Sequence, residues 1–138
     1  MTNEEYGRYV DALAPRSKTG KNLLNAFWVG GLICAIGQAL LNGYQALGLD
    51  ETTAGAAVSI SLVLLSAILT GFAVYDDIAK FAGAGTLVPI TGFANAVVAP
   101  AIEFQTEGFV LGTAAKMFTI AGPVIVYGLS ASVLYGVI

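Results

Sequence analysis

Charge is almost absent from four long stretches of this sequence, residues 22–49, 52–75, 81–102 and 117–138, and that spacing decides most of what the chain can become. At 1.5 Å of rise per residue, about 20 residues of helix cross a hydrocarbon core of roughly 30 Å, so each stretch is long enough to be a membrane segment. Across 138 residues, 57% are hydrophobic and only 11% charged, less than half the roughly 25% usual in a soluble domain. The chain therefore reads as an all-α polytopic membrane protein with about four membrane segments. A polar segment at 1–22 precedes a single transmembrane domain at 23–138.

The third stretch differs from the others because Gly83, Gly85 and Pro89 fall within seven residues. Two glycines lower helix propensity and the proline removes a backbone donor, so two half-helices with an irregular link are expected. Such a link survives in a membrane only where protein packs around it or a water-filled cavity lies beside it. Asp76 is expected to cap the first half-helix, with Asp77 and Lys80 keeping that end hydrated. Thr91 is expected to cap the second, with Gly92 and Asn95 in its first turn. Free amides there would face carbonyls at Gly83 to Gly85, an arrangement suited to a ligand carrying both an anion and a cation. Gly83, Gly85, Pro89, Thr91, Gly92 and Asn95 are thus the candidate pathway or substrate-binding residues. The simpler alternative is a break that only lets the chain turn back.

Glu103 and Glu107 follow, four apart and on one face if that piece is helical. With Asp76, Asp77 and Lys80 they are candidate gate or pore-mouth charges, although boundary and capping duties would also account for them. If the broken segment crosses the bilayer, Glu103 and Glu107 lie outside and the C-terminus inside; if it dips in and returns, both are reversed.

The remaining segments read as packing elements. The first span is expected at Leu23 to Leu47, the second at Thr52 to Tyr75, and the last from Gly108 to Ile138 with a kink at Pro123. Ala26 and Gly30, with Gly37, allow close approach on the first; Gly108 and Gly112 repeat the small-residue spacing on the last, and Gly128, Ser132 and Gly136 form a second such face. Gln38 is expected to bond a neighbouring helix. Ahead of the first span, Tyr6, Tyr9, Val10 and Leu13 fit a short amphipathic helix ended by Pro15. Arg16, Lys18 and Lys21 precede the span while the loop from Gly48 to Glu51 has no basic residue, which puts the N-terminus in the cytoplasm. The first apolar run is too long for a cleavable signal and follows a polar segment, so it is expected to stay in the mature chain.

Several functions are disfavoured. A net charge of −3 without a basic stripe argues against nucleic acid. One cysteine, Cys34, and no histidine exclude an internal disulfide, a zinc site of the usual type and His-dependent acid/base chemistry. Glu103, Glu107 and Lys116 lack a nucleophile or a metal-ligand cluster to work with, so neither an enzyme nor a cofactor is expected.

Several blocks in one order carry a resemblance. Gly30-Gly31-Leu32-Ile33-Cys34-Ala35-Ile36-Gly37-Gln38, Gly71-Phe72-Ala73-Val74-Tyr75-Asp76, Phe81-Ala82-Gly83-Ala84-Gly85, Val88-Pro89-Ile90-Thr91-Gly92-Phe93-Ala94-Asn95 and Glu107-Gly108-Phe109-Val110-Leu111-Gly112 resemble the SpoVA membrane proteins of endospore-forming bacteria. The polar N-terminal segment and the Glu-Gly-x-x-Leu-Gly block look closer to the C-type branch than to the shorter SpoVAEb branch. A departure is that the chain reaches Ile138 without a short charged tail. The resemblance implies a subunit of the channel in the inner forespore membrane that takes up dipicolinic acid, largely as its calcium chelate, during sporulation and releases it at germination, with tension gating. It also implies a SpoVAEb-like membrane partner and a SpoVAD-like soluble partner. A chain with four segments has little room to enclose a pathway, so an oligomer in the lipid bilayer is expected. The competing expectation is a non-conducting anchor or scaffold of the same assembly.

Overall fold

A computed structural model describes residues 2–13 and 18–138. Helix α1 (Asn3–Leu13) opens on a reciprocal cap: Thr2 N–H donates to the Glu5 carboxylate at 2.8 Å and Glu5 N–H to Thr2 Oγ1 at 3.3 Å. Tyr6, Tyr9, Val10 and Leu13 are exposed on it. The expectations for Pro15 as its stop and Arg16 as a flanking charge lie outside the described residues. Helix α2 (Thr19–Ala46) starts four residues before the expected span and, with 28 residues, is about 42 Å long. A short turn containing Gly48 at φ 93° leads to α3 (Glu51–Gly71), whose first turn is capped by the Asp50 carboxylate accepting from Thr53 N–H at 3.1 Å. The two helices form a hairpin, tied by Tyr44 Oη and Ser61 Oγ 2.7 Å apart.

Beyond α3 the backbone becomes irregular. Ala73 takes a left-handed conformation at φ 59°, α4 (Val74–Ala82) follows, Gly83 turns the chain at φ 53°, and a single turn α5 (Ala84–Leu87) leads through Pro89 into α6 (Ile90–Glu103). The breaks fall at Gly83 and Pro89, as the glycine and proline spacing requires. Three expectations are corrected here. The second span ends at Gly71, because the left-handed Ala73 stops α3 and starts α4 early. That early start places Asp76 inside the first turn of α4 instead of at its cap, and its carboxylate pairs with Lys80 at 2.7 Å one turn on. Thr91 is likewise inside α6, since Pro89, at φ −65° and ψ 162°, occupies the cap position and hands a preset φ to the helix start.

The direction of α6 follows from its bonds to α3. Ser66 meets Thr91 and Thr70 meets Asn95, a step of four on both helices, so α3 and α6 run parallel and side by side. The segment α4–α6 therefore enters and leaves the bundle at the end where α3 finishes. After α6, a 3₁₀ turn (Gln105–Glu107) and Gly108 at φ 100° lead into a π-helical stretch (Phe109–Ala114) and α7 (Ala115–Val137). Glu103 ends α6 while Glu107 belongs to the 3₁₀ turn, so the two do not share a helical face. Gly108 is a turn residue with open space around it, not a packing residue, whereas Gly112 lies against the Phe104 carbonyl and the Glu107 side chain. The helix α7 continues through Pro123, and every residue from Pro123 onward is exposed, the Gly128–Ser132–Gly136 face included. Gln38 bonds Asn42 on its own helix at 2.9 Å instead of a neighbour.

Three continuous helices, α2, α3 and Phe109–Val137, are long and apolar enough to cross a membrane. With 14 residues, α6 is about 21 Å long, short of the roughly 30 Å of a hydrocarbon core. The architecture is that of an all-α polytopic membrane protein.

Candidate functional site at the helix break

Hydroxyl groups on α3, α4, α5 and α6 converge where the chain is broken. Ser66 Oγ donates to the Thr91 carbonyl in the first turn of α6 at 2.6 Å, a second hydrogen bond on an oxygen that also accepts within the helix. Thr70 Oγ1 lies 2.8 Å from both the Ser66 carbonyl and Asn95 Oδ1, so its single proton is shared between them. Tyr75 Oη donates to the Thr86 carbonyl at 2.9 Å and lies 3.1 Å from Thr91 Oγ1. Thr86 in turn donates its hydroxyl to the Gly83 carbonyl at 3.0 Å. Among the described residues, no buried side-chain nitrogen or oxygen lacks a partner. Irregular backbone at this depth is stable because side chains take over the hydrogen bonds that a continuous helix would have supplied.

Two glycines bring the broken segment against its neighbours. Gly85 lies on the Ala26 backbone of α2, and a Cβ there would stand 2.8 Å from Ala26 Cα; Gly30 faces Gly85 in return. Ala26 and Gly30 on α2 thus lie close to the backbone of α5. Gly37 makes ordinary contact with Leu62 on α3. Gly92 packs on the carbonyls of Thr86 and Leu87, folding α6 tightly onto α5.

The six candidate pathway residues surround the break on different sides. Gly85, Thr91 and Gly92 are buried in the packing. Gly83 borders a cleft of about 380 Å³ with Asn22, Ala26 and Lys80, and Pro89 borders one of about 350 Å³ with Gly30 and Cys34. Asn95 lines a third, of about 230 Å³, beside Thr70, Asp76 and Glu103. That last cleft brings the candidate pathway residue Asn95 together with two candidate pore-mouth carboxylates: an amide, a hydroxyl and two carboxylates from α3, α4 and α6. Asp77 and Lys80 are exposed on α4, and Lys80 borders the first cleft. Pairing with Asp76, by hydrogen bond and by charge, raises the Lys80 ammonium above its ordinary value. Lys116 lies over the Phe104 ring at 4.3 Å, not against Glu103 or Glu107. Ser66, Thr70, Tyr75 and Thr86 belong to no functional motif that marks them in the sequence. The readable signal was Ser66 and Thr70, two hydroxyls four apart near the end of an apolar helix.

Comparison with known proteins identifies the lineage. Residues 22–138 match the family described as SpoVAC/SpoVAEB sporulation membrane protein. The chain belongs to this family. Over its whole length it is 49% identical to Stage V sporulation protein AC of Bacillus subtilis (strain 168), covering 94% of that protein. No solved structure matches. As a SpoVAC/SpoVAEB family member the chain is a sporulation membrane protein, in agreement with the resemblance of its sequence blocks.

Proposed function

We propose that this chain is a subunit of the channel that moves dipicolinic acid, chiefly as calcium dipicolinate, into the developing spore and out again at germination. The observation that carries the reading is the α4–α6 break, buried against α2 and α3 and held by hydroxyls of α3, α4 and α5. Broken segments in membrane transport proteins sit at the solute pathway, and an anchor alone would have no need of one. In this reading α2, α3 and α7 cross the inner forespore membrane and α4–α6 dips in from the cytoplasmic side and returns. The parallel run of α3 and α6 supports the dip, as does the cleft shared by Asp76 and Glu103. Asp76, Asp77, Lys80, Glu103 and Glu107 then lie at the cytoplasmic mouth with the N-terminus, and Gly83, Gly85, Pro89, Thr91, Gly92 and Asn95 line the route once the segment opens. The outward apolar face of α7 supports assembly into an oligomer with a SpoVAEb-like subunit, and a SpoVAD-like soluble subunit would cover the mouth.

The test is dipicolinate release from liposomes holding the protein, with and without its membrane partner, before and after an osmotic downshift. Release on downshift by the protein alone is the expected result and makes it a tension-gated pore; release only with the partner makes the pore a shared one. No release from folded protein under either condition turns the assignment to a non-conducting scaffold of the same assembly.

A further inference from the structure

We infer that Tyr75 is a latch that holds the re-entrant segment closed, with α4 as the lever it fastens. Tyr75 is only 4% exposed, and its hydroxyl reaches Thr86 on one side of the Pro89 turn and Thr91 on the other. One side chain thus clips α4 to both pieces of the broken helix. The nine residues of α4 run between two left-handed joints, Ala73 at φ 59° and Gly83 at φ 53°. For glycine that conformation is ordinary; for alanine it is unfavourable, so the Ala73 joint is held by what α4 grips further on. The outer face of α4 adds no grip. Among the described residues, its ion pairs are internal to the helix, Lys80 with Asp76 and Asp77, all exposed. Its other polar tie to the bundle is the exposed contact of Asn25 Nδ2 with the Phe81 carbonyl at 3.2 Å.

Behind Tyr75 is a cavity of about 170 Å³ between α2 and α3, walled by Ile33, Leu62, Ser66 and Ile78 and reaching Thr86 and Thr91. Tilting α4 on its joints parts the tyrosine from Thr86 and Thr91. A carbonyl and a hydroxyl are then free for water or solute, and the cavity opens toward the charged surface of α4. The strain at Ala73 favours this movement and the Tyr75 hydrogen bonds oppose it. As the gate of a channel the latch rests on the reading above; as a movement of α4 it is measurable without it.

The experiment uses the full chain in liposomes with Cys34→Ser and Ala82→Cys, which puts the single thiol on the inner face of α4 where Ala82 is 1% exposed. Its rate of modification by a charged maleimide reports α4 lifting. Tyr75→Phe is expected to raise that rate about tenfold, the loss of one to two buried hydrogen bonds of about 1 kcal/mol each. Tyr44→Phe, the same chemical change at the far α2–α3 contact, should leave it within about twofold. An unchanged rate in Tyr75→Phe, or an equal rise in Tyr44→Phe, overturns the latch. Ala73→Gly tests it with the tyrosine in place: removing the strain of the closed form should slow modification about threefold, and a faster or unchanged rate counts against the lever. Dipicolinate release from the same liposomes separates the two readings. Release that rises with modification supports both, whereas modification that rises without release, with the membrane partner present as well as absent, keeps the latch and overturns the channel.

Discussion

The α4–α6 segment and α7 are both apolar, yet the first is tied into the chain along its length and the second only ahead of Pro123. In α4–α6, short pieces of helix bury Tyr75, Ala82, Thr86, Thr91 and Ala94 and tie into α3 through side-chain hydrogen bonds. In α7, 23 residues of regular helix bury only Ala121, and Tyr127 and Tyr135 are 76% and 86% exposed. A regular helix satisfies its own backbone and can face lipid or another subunit anywhere along its length. A broken one must find partners, and here finds them in residues 11 to 25 positions away. Specificity within the subunit is thus concentrated at the break, and α7 is left for its surroundings.

Substitutions of glycine test that contrast most severely. Alanine at Gly92 would overlap the carbonyls of Thr86 and Leu87, and alanine at Gly85 the backbone of Ala26, so each should cost about 2–3 kcal/mol or prevent folding, read as thermal unfolding in detergent. Gly128→Ala and Gly136→Ala meet nothing within 4 Å and should be neutral or stabilise the isolated chain by up to about 1 kcal/mol. Equal losses at both sets would erase the distinction between the two regions. Gly85→Ala is for the same reason a poor probe of conduction, and Pro89→Ala, on the open cleft side, is the cleaner one.

A smaller effect is expected from Ser66→Ala, which removes the cross-helix hydrogen bond to the Thr91 carbonyl and should lower stability by about 1 kcal/mol in the same assay. Ala73→Gly should act in the opposite direction, by up to about 1 kcal/mol, since glycine takes the left-handed conformation freely. A destabilised Ala73→Gly protein would show that the joint is not strained.

Least in size are two pH effects at exposed groups outside the spans. The Asp50 carboxyl is held below its ordinary value of 3.8 by hydrogen bonds from Thr53. Its capping contribution is therefore full above 3.8 and fades as pH falls through the depressed value, a slope in melting temperature that Asp50→Asn should flatten. Lys80 is shifted the other way by Asp76, so that pair contributes fully below 10.5 and is lost as pH rises through the raised value; Lys80→Met should remove the alkaline slope and leave the acid one.

What the amino-acid order determined by itself was local or compositional. Long uncharged runs fix helices that a membrane can hold, the glycine and proline spacing fixes breaks at Gly83 and Pro89, and the ordered blocks fix the family. These signals act between near neighbours in the chain, where propensity and hydropathy are decided. The tertiary structure decided which way α6 runs, that Ala73 and Pro89 take the cap positions expected of Asp76 and Thr91, and that Gly85 and Gly92 are contact points while Gly108 is a turn. It also made a latch of Tyr75, which the sequence presents only as the end of an apolar run. Each of these depends on which helix faces which, and a hydroxyl's partner 25 residues away is set by that packing and not by its neighbours in the chain.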